Sequence, residues 1–247
     1  MSDPVIYESA DDICTITLNR PSKLNSIDPA TEQALAEAWH RFNASNDRVA
    51  ILTGAGQKAF SVGKDLNAQS VPDYRKFVPG FDIEVRKPII AAVNGWCIGG
   101  ALTLVQMCDL CIATTSTRFM YPEAKIGFAG GLIAGLAGRI PHKVAMEIML
   151  LGEEFSVDRA YQVGLVNKVV PEEELMPAAR SYARRLADNA PLVLEMLKMF
   201  AGEAIQRSPM ERASHAMRVV ETVMASTDFR EGLESVRSKR TPHYIGK

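Results

Sequence analysis

The chain has 247 residues, and its 28 Lys and Arg against 29 Asp and Glu leave a formal net charge of −1. That length can bury a sizeable core in one large domain or two small ones, and a 47% apolar share excludes a disordered chain. Balanced charge offers no broad positive field to a nucleic-acid backbone; without a basic-then-apolar leader or a run of about 18 apolar residues to span a bilayer, a soluble cytoplasmic protein is expected.

Residues 5–8 read as a short strand. Over 13–19, Ile13, Thr15, Thr17 and Asn19 face one way while Cys14, Ile16 and Leu18 face the other, a strand ended by Asn19-Arg20-Pro21. Residues 31–42 place Ala34, Leu35, Ala38, Trp39 and Phe42 on one helical face, with Asp28 as cap and Pro29 in the first turn. A buried strand over 49–53 is broken at Gly54-Ala55-Gly56, and residues 58–62 run into Gly63. The stretch 69–79 has no clear period and reads as a loop or weak helix. A strand over 89–93 stops at Asn94-Gly95, Gly99-Gly100 opens a helix over 101–107, and short strands follow at 110–113 and at Phe119-Met120 before Pro122.

Beyond residue 141 the pattern becomes mostly helical. A helix over 144–151 ends at Gly152, Ser156 or Asp158 caps another that stops at Gly164, and 165–170 is strand-like up to Pro171. Helical patterns then cover 175–187, 191–205, 211–226 and 229–239. Repeated strand–helix alternation argues for an α/β core over residues 1–190 with right-handed crossovers. Residues 191–247 form a helical region too thin to fold alone.

Four cysteines, Cys14, Cys97, Cys108 and Cys111, are expected to be buried, reduced thiols. Cys108 and Cys111 have CxxC spacing, but they lie in a dense apolar stretch. His40, His142, His215 and His243 add no second tight pair, so no metal site is expected.

Three segments carry candidate chemistry. In Phe60-Ser61-Val62-Gly63-Lys64-Asp65-Leu66, Gly63 permits a tight turn after which N–H groups can face an anion or a developing oxyanion; a plain strand-ending turn fits the same residues. In Asn94-Gly95-Trp96-Cys97-Ile98-Gly99-Gly100-Ala101, glycines at a strand-to-helix junction admit either a ligand or close helix packing, and neither a P-loop nor a GxGxxG pattern is present. In Tyr121-Pro122-Glu123, followed by Gly127, Gly130, Gly131, Gly135 and Gly138, a carboxylate sits in an apolar, glycine-rich stretch. It is either a general acid/base with a raised pKa or a capping or ion-paired Glu. Ser61 has no evident partner base and no GxSxG elbow exists, so serine acyl transfer is unsupported. Asp109 reads as a local backbone acceptor, and Lys239-Arg240 as a solvated face or a phosphate contact.

Taken together, these segments resemble the enoyl-CoA hydratase/isomerase, or crotonase, family. The resemblance runs through Ile16-Thr17-Leu18-Asn19-Arg20-Pro21 with Leu24-Asn25, Ala59 to Leu66, Lys87-Pro88, Ala91-Ala92-Val93-Asn94-Gly95, Gly99-Gly100, Cys108-Asp109, Pro122-Glu123 and Gly127. It continues in Ala160, Gly164-Leu165-Val166, Glu231-Gly232, Lys239-Arg240 and Pro242. It implies a ββα spiral with two sheets, then a C-terminal helical region that joins subunits into a homotrimer or a dimer of trimers. It also implies an acyl-CoA thioester substrate with no cofactor beyond its coenzyme A moiety. By motif position the thioester oxygen would lie between the N–H groups of Lys64 and Gly100. Lys64, Asp65 and Leu66 would line the adenine end of coenzyme A, and Lys239 would meet its phosphates, across a subunit boundary if need be.

The carboxylates set the expected subclass. Hydratases of this family carry two catalytic Glu, one matching Glu123 and one matching Thr103. A single carboxylate suffices to shuttle a proton between carbons of an enolate, which resembles the Δ3,Δ2-enoyl-CoA isomerases, so isomerisation with Glu123 as acid/base is the leading expectation. The alternatives are a hydratase with an atypical second group and a CoA-binding member without turnover. No Asp lies between Gly127 and Arg139 as in dienoyl-CoA isomerases, and no His matches the β-diketone hydrolase branch.

Overall fold

A computed structural model describes residues 3–68, 70–128 and 130–247. In chain order the strands are β1 (Val5–Ala10), β2 (Ile13–Leu18), β3 (Val49–Gly54), β4 (Ala59–Ser61), β5 (Ile89–Val93), β6 (Trp96–Ile98), β7 (Leu110–Thr114), β8 (Arg118–Met120), β9 (Glu154–Ser156) and β10 (Lys168–Val170). The helices are α1 (Pro29–Ala44), α2 (Gly100–Met107), α3 (Glu123–Ile126), α4 (His142–Leu151), α5 (Val157–Gln162), α6 (Leu175–Ala187), α7 (Pro191–Ala204), α8 (Pro209–Met224) and α9 (Thr227–Arg237).

One sheet has the order β1-β2-β3-β5-β7-β10, and a smaller one has the order β4-β6-β8-β9. β1 and β2 make a hairpin whose turn residues Asp11 and Asp12 have φ of 54° and 63°, the left-handed pair a two-residue hairpin needs. The remaining pairs of the large sheet are parallel. β3 and β5 are buried along their whole length, which explains the apolar runs over residues 49–52 and 89–93. Leu35, Trp39 and Phe42 of α1 pack in the core on one side. On the other, Ala178, Ala179, Ala183 and Ala187 of α6 lie against Val49, Ile51, Ile90, Ala92 and Ile112, and these small side chains let the helix approach closely. The α/β crotonase-like architecture expected from the resemblance is the one found.

The small sheet positions the site. β4, β6 and β8 run parallel and side by side, so their C-terminal ends share one edge. Gly63-Lys64, Gly99-Gly100 and Tyr121-Pro122-Glu123 all leave from that edge, where ligands of parallel sheets collect.

Several sequence expectations need correction. β6 lies inside what reads as a direct strand-to-helix junction, and β9 was not anticipated; three residues are too few for a period to show. The strand expected over 165–170 pairs only from Lys168, because Leu165 and Val166 bury their side chains in the core without joining the sheet. α8 begins at Pro209 behind a capping box: Ser208 Oγ accepts the Glu211 N–H at 3.2 Å and Glu211 Oε2 accepts the Ser208 N–H at 2.9 Å. Gln69, in the stretch 69–79, and Ala129, between Gly127 and Gly130, lie outside the described residues. Of the four free cysteines, Cys14, Cys97 and Cys111 are buried and Cys108 is half-buried.

α7, α8 and α9 form a helical extension that buries little. No α7 residue is fully buried, while Leu192 is 77% exposed and Val236 of α9 is 79% exposed. Two ion pairs tie the extension down. Lys198 of α7 donates to Asp109 Oδ2 at 2.7 Å and to the Lys87 carbonyl at 2.8 Å. Arg139 donates to Glu211 Oε1 at 2.8 Å. Asp109 also accepts the Ile89 N–H at 2.7 Å, so it is a backbone acceptor as read and a tail anchor besides. No described helix is long and apolar enough to cross a membrane.

Candidate active site

A cavity of about 610 Å³ opens at the C-terminal edge of β4, β6 and β8. Val62, Ile98, Phe128, Leu132 and Met210 give it apolar walls, while Lys64, Gly100, Tyr74 and Glu123 supply polar groups. This volume and character suit a small-molecule site.

The turn after β4 is built by buried polar side chains. Asn25, with a φ of 53°, donates to the Ala55 and Ala59 carbonyls at 2.9 Å each. Ser61 Oγ donates to the Asn25 carbonyl at 2.7 Å and accepts the Gly63 N–H at 3.1 Å. Ser61 therefore shapes the turn rather than acting as a nucleophile. Gly63 has a φ of 75°, and a Cβ there would fall 2.7 Å from the Ile98 carbonyl and 3.1 Å from the Gly100 nitrogen. Only glycine allows the two backbone segments to meet so closely.

Two N–H groups result. Around Lys64, Ile27 donates to the Gly63 carbonyl at 2.7 Å and Asp65 donates to the Ile27 carbonyl at 2.8 Å. Pairing with Ile27 uses the groups on either side of Lys64 and turns its own N–H the other way. Gly100 opens α2 behind Gly99, whose φ is 60°, so its N–H belongs to the unpaired first turn of a helix. Neither N–H donates to a protein acceptor among the described residues.

Glu123 enters from β8. It is 8% exposed, and its Oε2 has no hydrogen-bond partner among the described residues. Its Oε1 lies 2.7 Å from where a Gly99 Cβ would be, so the bare glycine makes room for the carboxylate. Burial pushes its pKa up to about 7. A hydrogen bond from the Tyr121 hydroxyl to the Gly130 carbonyl tethers the following loop.

The other anticipated residues divide. Asp65 lines the cavity, but its carboxylate is engaged by Arg20 and Ser26 at 3.2 Å each and by the Asn67 N–H at 3.0 Å. Burial raises its pKa, but these donors outweigh burial and hold it below the carboxylate range. Leu66 is 76% exposed at the rim. Lys64 places Nζ 5.3 Å from the centre of the Phe128 ring. Lys239, at the end of α9 with a φ of 51°, is exposed and is not among the residues that line the cavity of this chain. Thr103 lines the cavity and is 2% exposed, a hydroxyl where a hydratase would carry its second carboxylate. Two residues that sequence reasoning passed over also line it: Tyr74, from the weakly patterned stretch, and Met210, from the start of α8. No three His, Cys, Asp or Glu side chains gather to hold a metal ion among the described residues.

Two free N–H groups and a buried carboxylate with one unpaired oxygen and a pKa near 7 can stabilise an oxyanion while a proton moves at a neighbouring atom. Fold and site together define an enzyme of the crotonase type. Similarity to known proteins gives the family itself: the model for enoyl-CoA hydratase/isomerase matches residues 8–247, and the chain belongs to that family. It is 36% identical over 257 residues to (E)-benzylidenesuccinyl-CoA hydratase of Thauera aromatica, covering 98% of this chain and 99% of the relative. It is 36% identical over 255 residues to carnitinyl-CoA dehydratase of Salmonella typhi, covering 95% of each. The crystal structure of enoyl-CoA hydratase from Mycobacterium tuberculosis H37Rv superposes with a TM-score of 0.76 at 31% identity, covering 100% of both chains.

Proposed function

We propose that this protein adds water to, and removes it from, an enoyl-CoA thioester, with Glu123 as the acid/base and the N–H groups of Lys64 and Gly100 holding the thioester oxygen. The observation that carries this reading is the buried Glu123 carboxylate against Gly99, its Oε2 without a partner among the described residues and its pKa near 7. Hydratase and dehydratase relatives at 36% identity support hydration over the isomerisation expected from Thr103.

One carboxylate can serve the whole reaction. As the water oxygen bonds to Cβ, Glu123 takes a water proton, and the Cα–Cβ π electrons shift to leave an enolate whose oxygen accepts from Lys64 and Gly100. Each such donor contributes about 3–4 kcal/mol when charge develops on the oxygen. Glu123 then returns its proton to Cα and the thioester carbonyl re-forms, so one water supplies both added groups. A pKa near 7 suits a group that must both take and give the proton. Isomerisation remains the second reading because Thr103 leaves a single carboxylate; there, Glu123 would carry a proton between the two α- and γ-type carbons of the same enolate.

The backbone at Lys64, Asp65 and Leu66 would receive the coenzyme A handle, with Lys239 reaching its phosphates from a neighbouring subunit. A division after residue 190 and assembly of residues 191–247 into a homotrimer belong to the same proposal. Exposed Leu192, Phe200, Val223 and Val236 support it. Light scattering should report a trimer or hexamer, and Val223→Asp should release smaller species; a monomeric wild-type protein would overturn that part.

The deciding experiment offers a 2-enoyl-CoA and a 3-enoyl-CoA in 18O-labelled water. Hydration places the label in a 3-hydroxyacyl-CoA, whereas isomerisation incorporates none. Either activity should vanish in Glu123→Gln. Turnover that survives this substitution would remove Glu123 from the mechanism, and CoA binding without any turnover would leave a binding protein.

A further inference from the structure

Tyr74 sits in a stretch without sequence period, yet its position is closely determined. It opens a single 3-10 turn, Tyr74–Lys76, capped by Asp73, whose Oδ1 accepts the Arg75 N–H at 3.2 Å. The Asp73 N–H in turn donates to Glu32 Oε2 at 2.8 Å, and the Arg75 guanidinium reaches Asp73 Oδ2 at 2.6 Å. The Tyr74 ring packs 4.7 Å, centroid to centroid, from Phe77. Only 9% of the residue is exposed, and it lines the same cavity as Glu123.

Two observations concern its hydroxyl. A Cβ on Gly100 would fall 2.1 Å from Tyr74 Cε1, 2.2 Å from Cζ and 2.5 Å from the hydroxyl oxygen. The phenol therefore lies against Gly100 itself, beside the N–H already assigned to the thioester oxygen, and a side chain at position 100 would displace it. That hydroxyl also has no hydrogen-bond partner among the described residues. A buried, unpaired hydroxyl is destabilising, and a bound oxygen would relieve it.

We propose that Tyr74 is a further catalytic residue, its hydroxyl donating a third hydrogen bond to the thioester oxygen of the bound acyl-CoA beside the N–H of Gly100. This rests on the acyl-CoA reading of the cavity. Burial, with the nearby Glu123 charge, raises the phenol pKa far above its ordinary value, so the group stays protonated and acts as a donor rather than a base. Gly100 thus has two functions: its N–H faces the oxygen and its missing side chain admits the phenol.

The test is Tyr74→Phe, which keeps the ring against Gly100 and removes only the donor. Two readouts are taken: steady-state kinetics, and the absorbance shift of a chromophoric cinnamoyl-type CoA thioester on binding, which reports carbonyl polarisation. Tyr74→Phe should lower kcat at least tenfold with KM within about threefold, and should shrink the red shift. Glu123→Gln should lose turnover and keep the red shift. An unchanged red shift in Tyr74→Phe overturns the assignment, whether kcat stays within twofold of wild type or falls, since in the latter case the hydroxyl acts elsewhere. If wild-type protein turns over no enoyl-CoA yet its red shift depends on Tyr74, the hydratase reading fails and the third donor stands.

Discussion

Glu123 and Glu211 are buried to nearly the same degree, at 8% and 5% exposure, yet the two regions treat them in opposite ways. At the joint between the cavity wall and α8, Glu211 accepts from Arg139 and from the Ser208 N–H. Burial there raises its pKa, but the ion pair and the capping bond outweigh it, and the carboxyl stays below its usual range. At the edge of the small sheet Glu123 has no compensating donor on Oε2, and burial lifts it to about 7. Burial alone therefore does not mark a working carboxylate. What separates the two is whether the fold supplies partners: Glu211 has them, and Oε2 of Glu123 has none among the described residues.

Removing each charge should break the comparison in different observables. Glu123→Gln is expected to lower kcat by about 10²–10⁴, the usual range for losing a general acid/base, while the protein stays folded. Glu211→Ala should do the reverse. It strands the Arg139 guanidinium, whose side chain is only 18% exposed, and removes half of the α8 capping box. A stability loss of about 3 kcal/mol is expected, read as a lower urea midpoint. Because Met210 beside it lines the cavity, the surviving folded protein should show a raised KM with kcat largely retained. If Glu211→Ala instead abolished kcat with stability intact, the division of labour between the two glutamates would be wrong.

The unequal legibility of these residues in the sequence follows from the same physics. Lys64, Gly100 and Glu123 can be picked out because each sits at a recognisable punctuation: Lys64 after the glycine at 63, Gly100 after the glycine at 99, and Glu123 after the proline at 122. Their convergence depends on β4, β6 and β8 being parallel neighbours, and three-residue strands carry too little pattern to show it. Tyr74 left no signal, since one 3-10 turn has no amphipathic period and its burial is decided by Gly100, distant in the chain. The Arg139–Glu211 pair spans 72 positions, and either residue alone reads as ordinary surface charge. The larger sheet is clearer because β3 and β5, buried on both faces, carry the apolar runs over residues 49–52 and 89–93.

The subtlest expected difference lies in how stability follows pH. Glu123 ionises near 7 in the folded protein but near its ordinary 4.5 when unfolded. Between those values the unfolded chain gains more from losing the proton, so Glu123 lowers stability progressively as pH rises from about 4.5 to 7, and fully above it. Glutamine cannot ionise, so Glu123→Gln should be the more stable protein at pH 8, by about 1 kcal/mol once solvent reaching the cavity is allowed for, or on the order of 2–4 °C in Tm. That advantage should shrink as pH falls through 7 and disappear near 4. Glu211 has the opposite sign: its folded pKa is depressed, so the stability it contributes is present above its unfolded value and is lost as pH falls through the folded one. In melting curves from pH 3 to pH 8, Glu123→Gln should therefore rise relative to wild type as pH climbs from about 4.5 to 7, whereas the deficit of Glu211→Gln should open at the acidic end, below and around 4.5, and stay constant above it. Parallel curves would mean that the two carboxylates share one environment, and that the missing partners at Glu123 do not set its chemistry.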